Sequence, residues 1–182
     1  MSSLTAHDIA RCAVFASLMA AGAFVTIPIG PVPVTLQVFF VLLAGMMLGP
    51  RLALLSVTVY LALGLVAPVY AGGALGVGVL FGPTGGYLIA FAPATTIAGW
   101  VAHRHDRSFG RLLLSAVAGL APIYALGPAW LATQGGMTVS AAMKAGLASF
   151  MPVDLLKAGL AAAVAWSLVN PRLGLLATQR HR

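Results

Sequence analysis

Charge is what this chain has least of. Of its 182 residues, 7% are charged and only three are acidic. Soluble domains carry roughly 25% charged residues, and a mean hydropathy of +1.01 excludes an ordinary soluble fold. Cysteine is almost absent. Cys12 stands alone, which rules out an internal disulfide and a cysteine-built metal site and leaves it a packing role. No Gly-Lys-Ser/Thr follows the glycine-rich stretches, so the chain lacks a Walker loop and hydrolyses no ATP by that route. No metal or nucleophile constellation is legible either; His103 and His105 sit in a solvated basic loop. The formal charge of +7 does not point to nucleic acid. Its basic residues fill short gaps between apolar runs, without the polar surface and interleaved aromatics of a nucleic-acid face.

Long apolar runs are what the chain has most of: 60% of the residues are hydrophobic. A bilayer core about 30 Å thick takes roughly 20 helical residues per crossing, so this length holds about five or six. Crossings are expected near 10–27, 36–48, 52–66, 83–102, 112–131 and 153–169. A signal peptide at the N-terminus is disfavoured, because the rest of the chain is equally apolar. Three prolines and a glycine between Ile27 and Gln37 forbid regular helix there, so this segment reads as a lid or re-entrant piece lying against protein. Within it, Thr35 and Gln37 are expected to face a cavity, since such groups are costly against lipid. The segment from Pro68 to Gly82 reads as a glycine-rich loop that allows close backbone approach. A weakly amphipathic helical piece over 138–150 carries Lys144, and Pro152 is expected to open the last crossing. Gly72/Gly76 and Gly82/Gly86 match the Gly-xxx-Gly spacing of close helix packing, a common pattern. Trp130 reads as an interface anchor, as Tyr87 does in its plainest role.

Eight of the ten basic residues are arginines: Arg11, Arg51, Arg104, Arg107, Arg111, Arg172, Arg180 and Arg182. Six crossings put all eight on one side together with both termini, and the cation excess marks that side as cytoplasmic. An odd number of crossings would divide them. The proline-rich segment, the glycine-rich segment and the start of the last crossing then share the outer side. The fold expected is an all-α membrane protein, a single domain over residues 1–182, with six transmembrane helices and a pocket opening outward.

Asp154 and Lys157 lie three apart in Pro152-Val153-Asp154-Leu155-Leu156-Lys157, on one face of a helix. Placing either charge in hydrocarbon costs ~2.5–3.5 kcal/mol on insertion scales. A chain that places both there has a use for them. That use is a site for a polar ligand, a proton or ion relay, or a salt bridge that ties the last crossing to its neighbours and draws on the helix dipole near Asp154.

These segments together resemble the BioY family, the biotin-binding S components of energy-coupling factor (ECF) transporters. The resemblance rests on Ile27 to Gln37 (IPIGPVPVTLQ), Leu43 to Leu52 (LAGMMLGPRL), Phe81 to Phe91 (FGPTGGYLIAF) and Pro152 to Lys157 (PVDLLK). It implies capture of biotin from outside by a six-helix protein of a prokaryotic cytoplasmic membrane, and not an enzyme. It also implies that Asp154 and Lys157 line the biotin pocket, that Pro28 to Gln37 caps it, and that Gly72, Gly73, Thr84 and Tyr87 form another wall. Some relatives place an arginine near that wall; this chain has none between Arg51 and Arg104. The family's Ala-xxx-Ala pattern on the first helix, which meets a transmembrane coupling subunit, is matched by Ala16 and Ala20; read from the residues alone, that spacing fits internal packing equally well. ATP is then used only by the ATPase subunits of the partner module, and no cofactor is bound covalently. The ureido N–H of biotin suits Asp154, whereas Lys157 is left with two possible targets, the ureido carbonyl or the valerate carboxylate. Apart from the resemblance, the competing class is an ion-coupled secondary carrier for a small polar metabolite, with a membrane-embedded enzyme or a structural subunit behind it.

Overall fold

The structure is a computed structural model and describes residues 4–28 and 32–170. Ile29, Gly30 and Pro31 of the proline-rich segment, and Arg172, Arg180, His181 and Arg182, lie outside the described residues. Helix α1 (Ala6–Phe24) opens on a capping box: the Thr5 hydroxyl accepts from the Asp8 amide, and the Asp8 carboxylate accepts from the Thr5 amide. Two short strands follow, β1 (Thr26–Ile27) and β2 (Val34–Thr35), paired antiparallel with Thr26 opposite Thr35. Helices α2 (Gln37–Leu48) and α3 (Pro50–Gly64) are divided by Gly49, whose φ of +78° breaks the run, with Pro50 filling the first position of α3. Then come a 3-10 turn (Ala71–Gly73), the short α4 (Val77–Phe81), α5 (Gly85–His103), α6 (Phe109–Gly135) and α7 (Val139–Val169).

Among the described residues three helices, α5, α6 and the Phe150–Val169 part of α7, are long and apolar enough to cross a membrane. Helices α2 and α3 are shorter, at 12 and 15 residues. Twelve residues rise only ~18 Å, so α2 does not traverse a hydrocarbon core alone.

Burial is inverted relative to a water-soluble bundle. On α7 the large apolar side chains Leu155, Leu156 and Leu160 point outward, while Asp154 and Lys157 are 5% and 7% exposed. Leu54, Leu63, Ile89, Leu114 and Leu126 are likewise turned outward from their helices. Such an arrangement is favourable where the surroundings are hydrocarbon. The interior is filled largely by alanines and medium-sized residues, which lets helix backbones come close. At Gly45 on α2, a Cβ would lie 2.5 Å from the Thr95 carbonyl oxygen on α5, so only glycine permits that approach. Thr95 in turn donates its hydroxyl to the Val41 carbonyl at 2.9 Å. Cys12 is buried as a packing residue, with Sγ 3.3 Å from the Leu52 carbonyl.

Two boundaries differ from expectation. Pro152 does not open the last helix: α7 starts at Val139, where the Thr138 hydroxyl accepts from the Ala141 amide, and runs through the proline. The internal proline removes one intrahelical hydrogen bond without ending the helix, whose start is set upstream by the Thr138 cap. Asp154 therefore sits roughly four turns inside α7 and draws nothing from the dipole at its start. The glycine-rich segment is also more ordered than a loop. Gly72, Gly73 and Gly76 adopt φ of +67°, +80° and +95°, turns that punctuate it into the 3-10 turn and α4.

Candidate functional site

A cavity of about 420 Å³ opens at one end of the bundle, within the range of roughly 300–1,000 Å³ typical of small-ligand pockets. Its walls come from the three segments that the charge pattern put on one side. β2 and the start of α2 contribute Val34, Thr35, Gln37 and Val38; the glycine-rich segment contributes Ala71, Ala74 and Leu75; α5, α6 and α7 contribute Tyr87, Phe91, Ile123, Phe150, Asp154 and Lys157. Most of this lining is apolar. The polar groups are few, and most of them belong to two networks.

The first network surrounds Asp154. Lys157 donates from Nζ to Asp154 Oδ1 at 2.7 Å, and Tyr124 on α6 donates from its hydroxyl to Oδ2 at 2.9 Å. A carboxylate offers about four acceptor sites and an ammonium three donors. One partner on each carboxylate oxygen and one used Lys157 proton leave two acceptor sites and two donors unspent at the cavity wall. The pair is electrically neutral, which holds down the cost of burying it, while its remaining valences stay available. Tyr87 stands beside it. Its ring meets the Phe150 ring edge-on at 6.0 Å, and among the described residues its buried hydroxyl has no hydrogen-bond partner.

The second network ties the β2–α2 junction to α3 and the loop after it. Thr35 donates its hydroxyl to Gln37 Oε1 at 2.8 Å, Gln37 Nε2 donates to the Tyr60 hydroxyl, and Tyr60 donates to the Val69 carbonyl at 3.2 Å. Thr35 and Gln37 both line the cavity as the sequence led one to expect, yet they mostly satisfy each other. One Gln37 N–H remains. Tyr70, buried beneath Gly64, holds the adjoining loop by donating to the Leu61 carbonyl at 2.7 Å.

Thr84 and Tyr87 lie on the wall, as expected; Gly72 and Gly73 do not line the cavity, which is faced by their neighbours Ala71 and Ala74. The two glycines shape the turn through positive φ instead. Ala16, matched to a partner-facing pattern, is buried at 1% exposure, and Ala20 packs against the core. The outward face of α1 carries Ala13, Ser17 and Ala21, because the helix is rotated relative to that match. Trp130 is half-buried and donates from Nε1 to the Gly82 carbonyl at 3.0 Å, tying α6 to the turn before α5. Sequence reasoning missed Tyr124. The available signal was a tyrosine between two prolines, Pro122 and Pro128, inside an otherwise apolar run, a polar tip with no water to meet. Among the described residues no three His, Cys, Asp or Glu side chains form a possible metal site.

An inside-out helical bundle, with a neutral charged pair turned into a mostly apolar cavity, is the architecture of a membrane protein. Residues 1–173 match the model of the BioY family, and the chain belongs to that family. It is 43% identical to a probable biotin transporter BioY of Pyrococcus horikoshii, over 89% of this chain and 96% of that protein. It is 40% identical to the biotin transporter BioY of Thermotoga maritima, over 89% and 95%. The fold matches the crystal structure of the S-component for biotin from an ECF-type ABC transporter with a TM-score of 0.83 at 29% identity, covering 91% of this chain and 94% of that one.

Proposed function

We propose that this chain is the biotin-capturing S component of an ECF transporter, a single integral membrane domain over residues 1–182 in a prokaryotic cytoplasmic membrane. It carries out no chemistry on its ligand. The six main helices cross or enter the bilayer in alternation, so the arginine-bearing ends lie in the cytoplasm with both termini and the cavity opens outward.

The observation that carries the proposal is the Asp154–Lys157 pair, bridged at 2.7 Å and facing the cavity. Biotin offers two ureido N–H donors, a ureido carbonyl, a carboxylate and an apolar bicycle. The unspent acceptor sites of Asp154 take ureido N–H groups. The free donors of Lys157 take the ureido carbonyl, and the apolar wall of Val34, Leu75 and Phe91 takes the bicycle. Tyr87, Thr84 and the remaining N–H of Gln37 supply further polar contacts, while Gly72 and Gly73 set the loop that closes over the ligand. An analogue without the ureido N–H groups leaves buried acceptors unpaired and is rejected.

Energy comes from partners: a transmembrane coupling subunit and two ATPase subunits, which alone use ATP. The face of α1 free to meet the coupling subunit is Ala13, Ser17 and Ala21, rather than Ala16 and Ala20. The test is labelled-biotin uptake in cells that express the chain with and without such a module. Uptake that needs the module supports the proposal. Uptake by the isolated protein in liposomes, driven by a proton gradient, would replace it with the secondary-carrier reading.

A further inference from the structure

At the end of the bundle opposite the cavity, two arginines converge on the last turn of α2. Arg11 of α1 donates from Nη2 to the Met47 carbonyl at 3.4 Å, and Arg107, in the segment between α5 and α6, donates to the Met46 carbonyl. His103 stands beside them at the end of α5, with Nδ1 2.9 Å from the Gly99 carbonyl. A helix C-terminus carries about half a negative charge, far less than two guanidinium groups bring. The nearby carboxylates do not make up the difference. Asp8 is engaged by the Thr5 amide and hydroxyl at 3.1 and 2.8 Å, and Asp106 lies 3.8 Å from Arg111. Among the described residues neither Arg11 nor Arg107 forms an ion pair, and Arg107 Nε is shielded from solvent without a hydrogen-bond partner. Burial, and then the charge of Arg11, lower the pKa of Arg107; an anion placed here would offset both.

Aromatic rings mark the depth of this cluster. Trp100 is half-exposed, with the Arg104 guanidinium 3.5 Å from its ring centre, and exposed Phe109 meets Trp166 edge-on at 6.1 Å. Such rings sit where lipid headgroups meet hydrocarbon.

We propose that Arg11 and Arg107, with His103 beside them, bind the phosphate group of an anionic phospholipid. The proposal rests on the chain spanning a membrane but not on what the cavity holds. A phosphodiester accepts from several N–H groups at once, the geometry that guanidinium donors match, and basic pockets between helices at a membrane surface recognise anionic headgroups. Free phosphate shares that chemistry. The lipid is favoured because exposed apolar residues flank the cluster, Leu113 and Phe109 among them.

The experiment is native mass spectrometry of the purified protein in detergent, with phosphatidylglycerol or phosphatidylcholine added. The wild type is expected to retain phosphatidylglycerol about tenfold better than phosphatidylcholine, and Arg11→Gln/Arg107→Gln is expected to abolish that preference. Lys144→Gln, which removes one positive charge at an exposed position elsewhere, leaves it intact. The helical circular-dichroism signal and melting temperature of each sample report whether the fold survives, and Arg107→Lys serves if the double variant does not fold; it should weaken lipid retention while keeping the charge. Undiminished phosphatidylglycerol retention in a folded variant would overturn the site and leave the arginines as caps of α2. Complete displacement of the lipid by millimolar inorganic phosphate would overturn the lipid assignment in favour of a soluble anion. Lost association with the ATPase module at unchanged lipid retention would assign the cluster to protein docking instead.

Discussion

The two charged regions of this molecule are built on opposite logics. Around Asp154 the charges are of both signs, hydrogen-bonded at 2.7 and 2.9 Å, and enclosed. Around Arg107 they are of one sign and gathered at a helix end. A balanced pair costs little long-range field and leaves directional valences free, which suits recognition of a small molecule with donors and acceptors. An unbalanced cluster keeps its field, which suits orientation in a membrane and attraction of anions. Sign balance, more than the number of charges, separates the proposed ligand site from the proposed lipid anchor.

The largest effect expected from breaking the comparison comes from unbalancing the pair. Lys157→Met leaves a buried carboxylate uncompensated, which costs about 3–5 kcal/mol. Biotin affinity should fall by at least about a hundredfold, read by calorimetric titration, with a lowered melting temperature. Adding Asp154→Asn should restore part of the stability but none of the binding. Fully additive losses in the double variant would show that the two side chains do not act together.

Tyr124→Phe sharpens the comparison. It removes one hydrogen bond to a charged group, about 1.5–3 kcal/mol, so affinity should drop by about tenfold or more. Thr35→Val, which removes the bond to Gln37, should cost about 1 kcal/mol and show mainly as faster biotin release, because the lid is less well held. The smallest effect belongs to the exposed end. The Thr5 hydroxyl and amide hold the Asp8 carboxyl below its ordinary value of 3.8. A depressed carboxyl stabilises the fold above its unfolded pKa and loses that contribution as pH falls through the folded value. The protection of amides in the first turn of α1, relative to their intrinsic exchange rates, should therefore fall only as the pH is taken below 3.8 and leave biotin binding unchanged above that. Loss of protection at neutral pH would contradict the capping box as its source.

Much of this was legible in the sequence where one strong cost dominates. Charges in apolar runs singled out Asp154 and Lys157. Prolines that cannot be helical marked the lid, and the grouping of arginines drew the cavity-forming segments to one end. What escaped depended on rotation and on packing at distance. Ala16 and Ala20 fit a spacing, but spacing does not say which face of α1 meets solvent or lipid, and the structure buries Ala16. Gly72 and Gly73 fit a wall, yet their positive φ serves the turn, and Ala71 and Ala74 take the lining. Tyr124 lies 30 residues from Asp154 in the chain, and no local pattern joins them. Pro152 looked like a helix start because its ring favours one, but the cap at Thr138 set the boundary further back.

The most direct test is calorimetric titration of biotin into the purified wild-type chain, Asp154→Asn and Lys157→Met. Saturable binding of one biotin per wild-type chain, lost or weakened by at least about a hundredfold in both variants, is the predicted result. Equal affinity in all three proteins would contradict the assignment of the cavity-facing pair as the ligand site.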